Sequence, residues 1–150
     1  MAHMVETMAY AGQLPWHGLG VKVIDDLSPE QMMQKAGVDW TVEKQDMVTS
    51  GGSTVKSKQA LVRSSDGEVL DVVGKGWNPV QNAEAFNFFE EYVRAGDMQM
   101  HTAGSLNDGK MVWALAKTNE SFELFDGDVT ENYFLFSNPH EFGKAIYIRM

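Results

Sequence analysis

Apolar and polar positions change period along this chain, and most of it follows a strand-like rather than a helical rhythm. Short runs rich in Val, Ile, Trp, Tyr and Phe, each bounded by turn residues, predict strands at 21–24, 40–44, 60–63 and 69–73. Further runs at 98–103, 111–117, 133–137 and 145–149 predict four more. A helical period appears twice. In the first instance Met32, Met33 and Ala36 form an apolar face behind Ser28-Pro29-Glu30-Gln31. Ser28 suits an N-cap, Pro29 the first helical position and Gln31 the return arm of a capping box, while Gly37 suits the C-terminal stop. In the second, Ala85, Phe86, Phe89, Tyr92 and Val93 predict a longer helix from Asn82, as its cap, to about Ala95, ended by Gly96. Its stripe is expected to lie on a sheet with Phe89 buried, and Glu84, Glu90 and Glu91 fall toward the polar side.

The turn residues decide how the strands connect. Asp66-Gly67 joins 60–63 to 69–73 as a hairpin, and Asn107-Asp108-Gly109 joins 98–103 to 111–117. The segment Asn138-Pro139-His140-Glu141-Phe142-Gly143 is expected to join 133–137 to 145–149. The Gly/Ser/Lys-rich segment 49–58 reads as an exposed loop, and residues 1–11 as a leader. The expected class is α+β: a mostly antiparallel sheet built from hairpins, carrying one long and one short helix, in a single domain over 1–150. The strand 145–149 is expected to pair with 133–137. Its other side would then meet a second chain or a further segment, because an apolar edge is normally covered.

Composition narrows the function classes. Acidic residues number 21 against 12 Lys and Arg, a net charge of −9. Such a chain repels phosphate backbones unless its cations cluster, and here only Lys56 with Lys58 approach a patch. The absence of Cys excludes disulfides, thiolate metal sites and a cysteine nucleophile. No apolar run approaches the roughly 20 residues of a membrane span, and residues 1–11 lack the pattern of a secretory signal, so no membrane and a cytoplasmic setting are expected.

Six residues stand out as candidate ligand or partner contacts: Trp16, His17, Trp77, Asn138, His140 and Glu141. Trp16 and His17 sit in the Pro- and Gly-framed segment Leu14-Pro15-Trp16-His17-Gly18-Leu19-Gly20. They can serve stacking and hydrogen bonding to a ligand, acid–base chemistry, or packing at the core edge. His140 and Glu141 are adjacent, so in extended chain they point to opposite faces and form no dyad by themselves. No motif carries catalytic spacing. Gly18-Leu19-Gly20 and Gly74-Lys75-Gly76 do not extend to a phosphate loop or a dinucleotide fingerprint, and no histidine pair has zinc-helix spacing. No cofactor, metal or catalytic residue is therefore assigned. Trp77, Phe86, Phe88, Phe89 and Tyr92 read first as core and second as base-stacking surfaces, with Phe88 off the stripe and available to a partner.

Several stretches together resemble a known family. They are Glu6-Thr7-Met8-Ala9-Tyr10, Pro15-Trp16-His17-Gly18-Leu19-Gly20, Leu27-Ser28-Pro29-Glu30-Gln31 and Asp39-Trp40-Thr41-Val42. They continue with Val72-Val73-Gly74, Pro79-Val80-Gln81-Asn82, Thr102-Ala103-Gly104-Ser105-Leu106, Val112-Trp113-Ala114-Leu115 and Ser137-Asn138-Pro139-His140-Glu141. Taken in order they resemble the phage/plasmid-like proteins, a family of unknown function. The resemblance implies a phage or plasmid origin and the host-cell cytoplasm. Members often look like accessory proteins of DNA replication or recombination. They continue for roughly as long again beyond the position of Arg149, about a second domain, with a Pro-x-Arg-Val-Val-Cys-like stretch that this chain lacks.

Two functional expectations follow. One is an accessory protein of DNA replication or recombination, an oligomeric single-stranded nucleic-acid binder or annealer that stacks bases on its aromatic residues. The other is an acidic protein-interaction module, a host-factor inhibitor or assembly subunit that binds a basic host or phage protein by charge complementarity. Self-association is expected in both. A third, enzymatic reading requires His17, Asn138, His140 and Glu141 to converge.

Overall fold

In chain order the elements are β1 (Val5–Ala11), β2 (Val21–Val23), α1 (Pro29–Lys35), β3 (Val42–Val48), β4 (Thr54–Arg63) and β5 (Val69–Gly74). They continue with α2 (Asn82–Asn87), α3 (Glu90–Arg94), β6 (Met98–Leu106), β7 (Met111–Phe125), β8 (Asp128–Pro139) and β9 (Tyr147–Arg149). These come from a computed structural model that describes residues 5–11, 20–23, 27–125 and 128–149. The strands form a six-stranded sheet in the order β2-β1-β6-β7-β8-β9 and a three-stranded sheet in the order β3-β4-β5. The fold is α+β, and every pairing described is antiparallel except that of β1 with β2. Among the described residues no helix is long and apolar enough to cross a membrane.

Register explains where the core sits. Ala9 pairs with Ala103, Ala103 with Ala114, and Ala114 with Phe136, so one row across four strands carries three small side chains. That row leaves room on one face of the sheet for larger side chains from the helices. Met32 and Met33 of α1, Phe86 of α2 and the adjacent Phe89 join the alanines in one buried cluster with Leu61 and Leu70 of the smaller sheet. The capping box of α1 forms as its residues require: Ser28 Oγ accepts from the Gln31 amide at 3.2 Å, and Gln31 Oε1 accepts from the Ser28 amide at 2.9 Å. Gly37 ends the turn at φ +73°.

Several expectations need correction. The segment 5–11 is not a leader: β1 lies inside the six-stranded sheet, and Met8, Ala9, Tyr10 and Ala11 are buried. The segment 49–58 is a loop only as far as Ser53. From Thr54 it is the outer half of β4, whose polar residues face solvent while the ladder to β3 continues. The long helix is broken into α2 and α3. Between them the Phe88 amide donates to the Ala85 carbonyl and the Phe89 amide to the Phe86 carbonyl, a tightening by one residue. Adjacent positions on a regular helix diverge by about 100°. Both rings nonetheless reach Phe136, at 5.7 Å for Phe88 and 6.2 Å for Phe89. Phe88 is half-buried against the core, and Tyr92 is 42% exposed. Asn82 is not the helix cap; Gln81 holds that place. The predicted pairing of the last strand is present, with Leu135, Phe136 and Ser137 opposite Arg149, Ile148 and Tyr147.

Candidate functional site

The densest cluster of buried polar groups lies where the two sheets and α2 meet. Asn82 opens α2 with its side chain turned into the core, 1% exposed. Its Nδ2 donates to the Val38 carbonyl at 2.9 Å and, more weakly, to the Trp40 carbonyl at 3.5 Å. Because the amide nitrogen is committed to carbonyls, Oδ1 is the acceptor for the other two members. Asn138, near the end of β8, donates to it from Nδ2 at 3.2 Å and also to the Val80 carbonyl at 2.9 Å. His140, one residue past β8, lies 2.8 Å from it through Nε2. The same geometry sets the imidazole tautomer, with the proton on Nε2. Burial holds the imidazole well below its ordinary value of 6.5, at about 4, so it is neutral at physiological pH. The His140 backbone amide donates to the Lys110 carbonyl at 2.7 Å.

A second cluster continues from the first through Trp40. Its ring lies 5.4 Å from that of His140, tilted by 55°, and 5.2 Å from the Arg63 guanidinium. Arg63, at the end of β4, binds Asp66 with two hydrogen bonds of 3.0 and 2.7 Å and Glu6 of β1 with one of 2.6 Å. Glu6 also accepts from Ser105 Oγ of β6 at 3.0 Å. The Arg63 guanidinium holds the Asp66 carboxyl down at about 2, helped by the Glu68 amide. The Asn107–Gly109 turn closes over this arginine. Gly109 has φ +91°, and a Cβ there would come within 2.5 Å of Arg63 Nη1. Asn138, Asn82, His140, Trp40, Arg63 and Glu6 therefore form one polar seam joining both sheets.

The six sequence candidates divide as follows. Asn138 and His140 meet through Asn82. Glu141 turns away and pairs with Lys144 at 2.8 Å. Trp77 is half-buried against the core. Trp16 and His17 lie outside the described residues. Sequence reasoning missed Asn82, Trp40, Arg63 and Glu6, which come from four separate segments with no shared spacing. The available signal was the presence of Glu6, Trp40 and Asn82, though not Arg63, in the family-like stretches.

The seam acts as a clamp. Its protons are held between protein atoms, His140 is fully buried, and the carboxylates of Glu6 and Asp66 neutralise Arg63. Among the described residues no group of three His, Asp or Glu side chains is placed to hold a metal ion.

The comparisons with known proteins bear on the same half of the chain. No curated protein and no solved structure matches it. A family pattern, Domain of unknown function (DUF932), matches residues 69–149. That span runs from β5 to β9 and holds Asn82, Asn138 and His140, the first half of the seam. The match covers more than half of the 150 residues, and the chain belongs to the DUF932 family.

Proposed function

We propose that this domain is an acidic protein-interaction module that engages a basic surface of a partner protein. The observation that carries the reading is a groove between α1 and the α2–α3 pair. Met33 and Phe86 help line it, and Glu30, Glu84 and Glu90 contribute three carboxylates. Glu90 is shared with Arg94 at 2.9 Å, whereas Glu30 and Glu84 are exposed. A Lys or Arg side chain fits such a groove with its stem on the apolar surface and its charged head at a carboxylate. The net charge of −9 steers a basic partner toward it. The resemblance to phage/plasmid-like proteins supports a setting in DNA replication or recombination in the cytoplasm, where partners carry basic nucleic-acid-binding surfaces. The base-stacking alternative draws less support, since Phe86 and Phe89 are buried in the core and Phe88 is half-buried against it.

Fluorescence anisotropy with two probes tests this reading: an amphipathic Lys/Arg-rich peptide and a single-stranded oligonucleotide of similar length. The peptide should bind at low ionic strength, weaken as salt is added, and bind at least about tenfold more weakly to the Glu30→Gln/Glu84→Gln variant. Salt-sensitive binding of the oligonucleotide without binding of the peptide would overturn the proposal in favour of nucleic acid.

A further inference from the structure

The groove between α1 and the α2–α3 pair already holds a cation of the protein's own. Arg94, at the end of α3, lines it together with Glu30, Glu84 and Glu90. Its Nη2 donates to Glu90 Oε1 at 2.9 Å, and among the described residues no other side chain bonds it. The pair is loosely held. The Arg94 side chain is 75% exposed and that of Glu90 32%, and an exposed pair at this spacing contributes little. Arg94 also borders a second recess, with Phe88, Glu91 and Tyr92. Glu90 lies four residues before Arg94 and Glu91 three, and both spacings bring helical side chains within reach of each other. The guanidinium therefore has two carboxylates to choose from: Glu90, which lines the groove, and the exposed Glu91, which lines only the second recess.

We infer that Arg94 is a displaceable plug. In the free domain it occupies Glu90; a basic side chain of the partner takes its place there, and Arg94 crosses to Glu91. The inference rests on the basic-partner reading and adds an internal competitor to it. The exchange is like for like, one cation for another at the same carboxylate, so the weak exposed pair is all that the partner must break. Glu91 offsets part of that loss by receiving Arg94. The partner then meets three carboxylates, Glu30, Glu84 and Glu90, where the free domain offers two.

Anisotropy of the Lys/Arg-rich peptide at low ionic strength, read across a set of variants, tests this. Arg94→Gln should bind the peptide about two- to fivefold more tightly than the unaltered chain, the range that freeing an exposed pair allows. The gain should vanish when Glu90→Gln is also present, because no carboxylate is then released. Glu91→Gln should weaken binding while Arg94 is present and have less effect in the Arg94→Gln background. Arg94→Lys, which keeps the charge, should bind as the unaltered chain does. Lys56→Gln makes the same change of net charge outside the groove and should give a smaller gain, which separates displacement from general attraction. Far-ultraviolet circular dichroism should be unchanged throughout. Binding to Arg94→Gln no tighter than to Lys56→Gln, a gain that persists with Glu90→Gln, or a Glu91→Gln effect that is the same without Arg94 overturns the inference and leaves the groove reading standing. Absence of peptide binding to every variant overturns the groove reading and this inference with it.

Discussion

At the scale of single residues, His140 is the most consequential side chain. Its ring is fully buried, its Nε2 proton is held by Asn82, and burial depresses its protonation to about pH 4. The unfolded chain takes up that proton near 6.5. Between these values the unfolded state binds more protons than the native state, so stability declines as pH falls. The contribution of His140 is complete above about pH 6.5 and is lost by about pH 4, roughly 3 kcal/mol in all at 1.36 kcal/mol per pH unit. Urea unfolding at a series of pH values should show this slope, and His140→Gln should flatten it. A His140 imidazole that titrates near 6.5 in the folded protein by NMR would contradict the assignment. His140 was conspicuous in the sequence, but its partner was not. Asn82 read as a helix cap because Asn commonly takes that role. Only tertiary packing shows it one position inside the helix with its amide in the core.

At the scale of elements, local chemistry was legible where a few adjacent residues sufficed. Ser28, Pro29, Gln31 and Gly37 delimit α1 through contacts within one turn, and the turn residues of the 60–73 and 98–117 hairpins fall where their strands reverse. Reading failed where an element answers to distant partners. The 82–95 stripe predicts one helix, but the helix breaks at Phe88 and Phe89, and both rings pack on Phe136 of β8. The seven residues of β1 carry little sign of a strand until β6 pairs with them. That pairing is tight at Gly104, where a Cβ would collide with the Thr7 carbonyl oxygen. Backbone cannot yield there as a flexible side chain can. Gly104→Ala is expected to cost about 3 kcal/mol, the upper end for overpacking, and to raise amide exchange along β1 more than along β7. Equal exchange in both strands would show that the close approach is not what holds β1.

At the scale of the whole molecule, two sheets with separate hydrogen-bond networks must be held in one arrangement. The apolar cluster supplies most of the adhesion, and the polar seam supplies direction. Arg63 of the small sheet bonds Glu6 of the large one, and the contacts of the Trp40 ring continue to His140. Arg63→Met should leave Glu6 partly buried with only Ser105 to bond it. The expected loss is roughly 2–4 kcal/mol, below that of a fully buried pair because Glu6 keeps some contact with water. Urea denaturation with Glu6→Gln as the second arm of a double-mutant cycle measures the coupling. A coupling near zero would mean that the apolar contacts alone align the sheets. The same scale carries the salt dependence proposed for the helical groove: binding of a basic peptide weakens with salt.

The sequence by itself determined the α+β class, the short capped helix, the hairpin turns, the acidic charge and the pairing of the last strand with β8. Each of these rests on composition or on interactions among residues close in the chain, which a linear reading can weigh. Only the tertiary structure decided that β1 is an interior strand, that 82–95 breaks into two helices, and that Asn82 and Arg63 are the centres of the seam. Their roles come from partners tens of residues away: Asn82 bonds Asn138 and His140 of the last hairpin, and Arg63 bonds Glu6 near the start. Nothing in a local window carries such a pairing, because a buried polar side chain is specified by the groups that satisfy it, and those are assembled only when the chain folds.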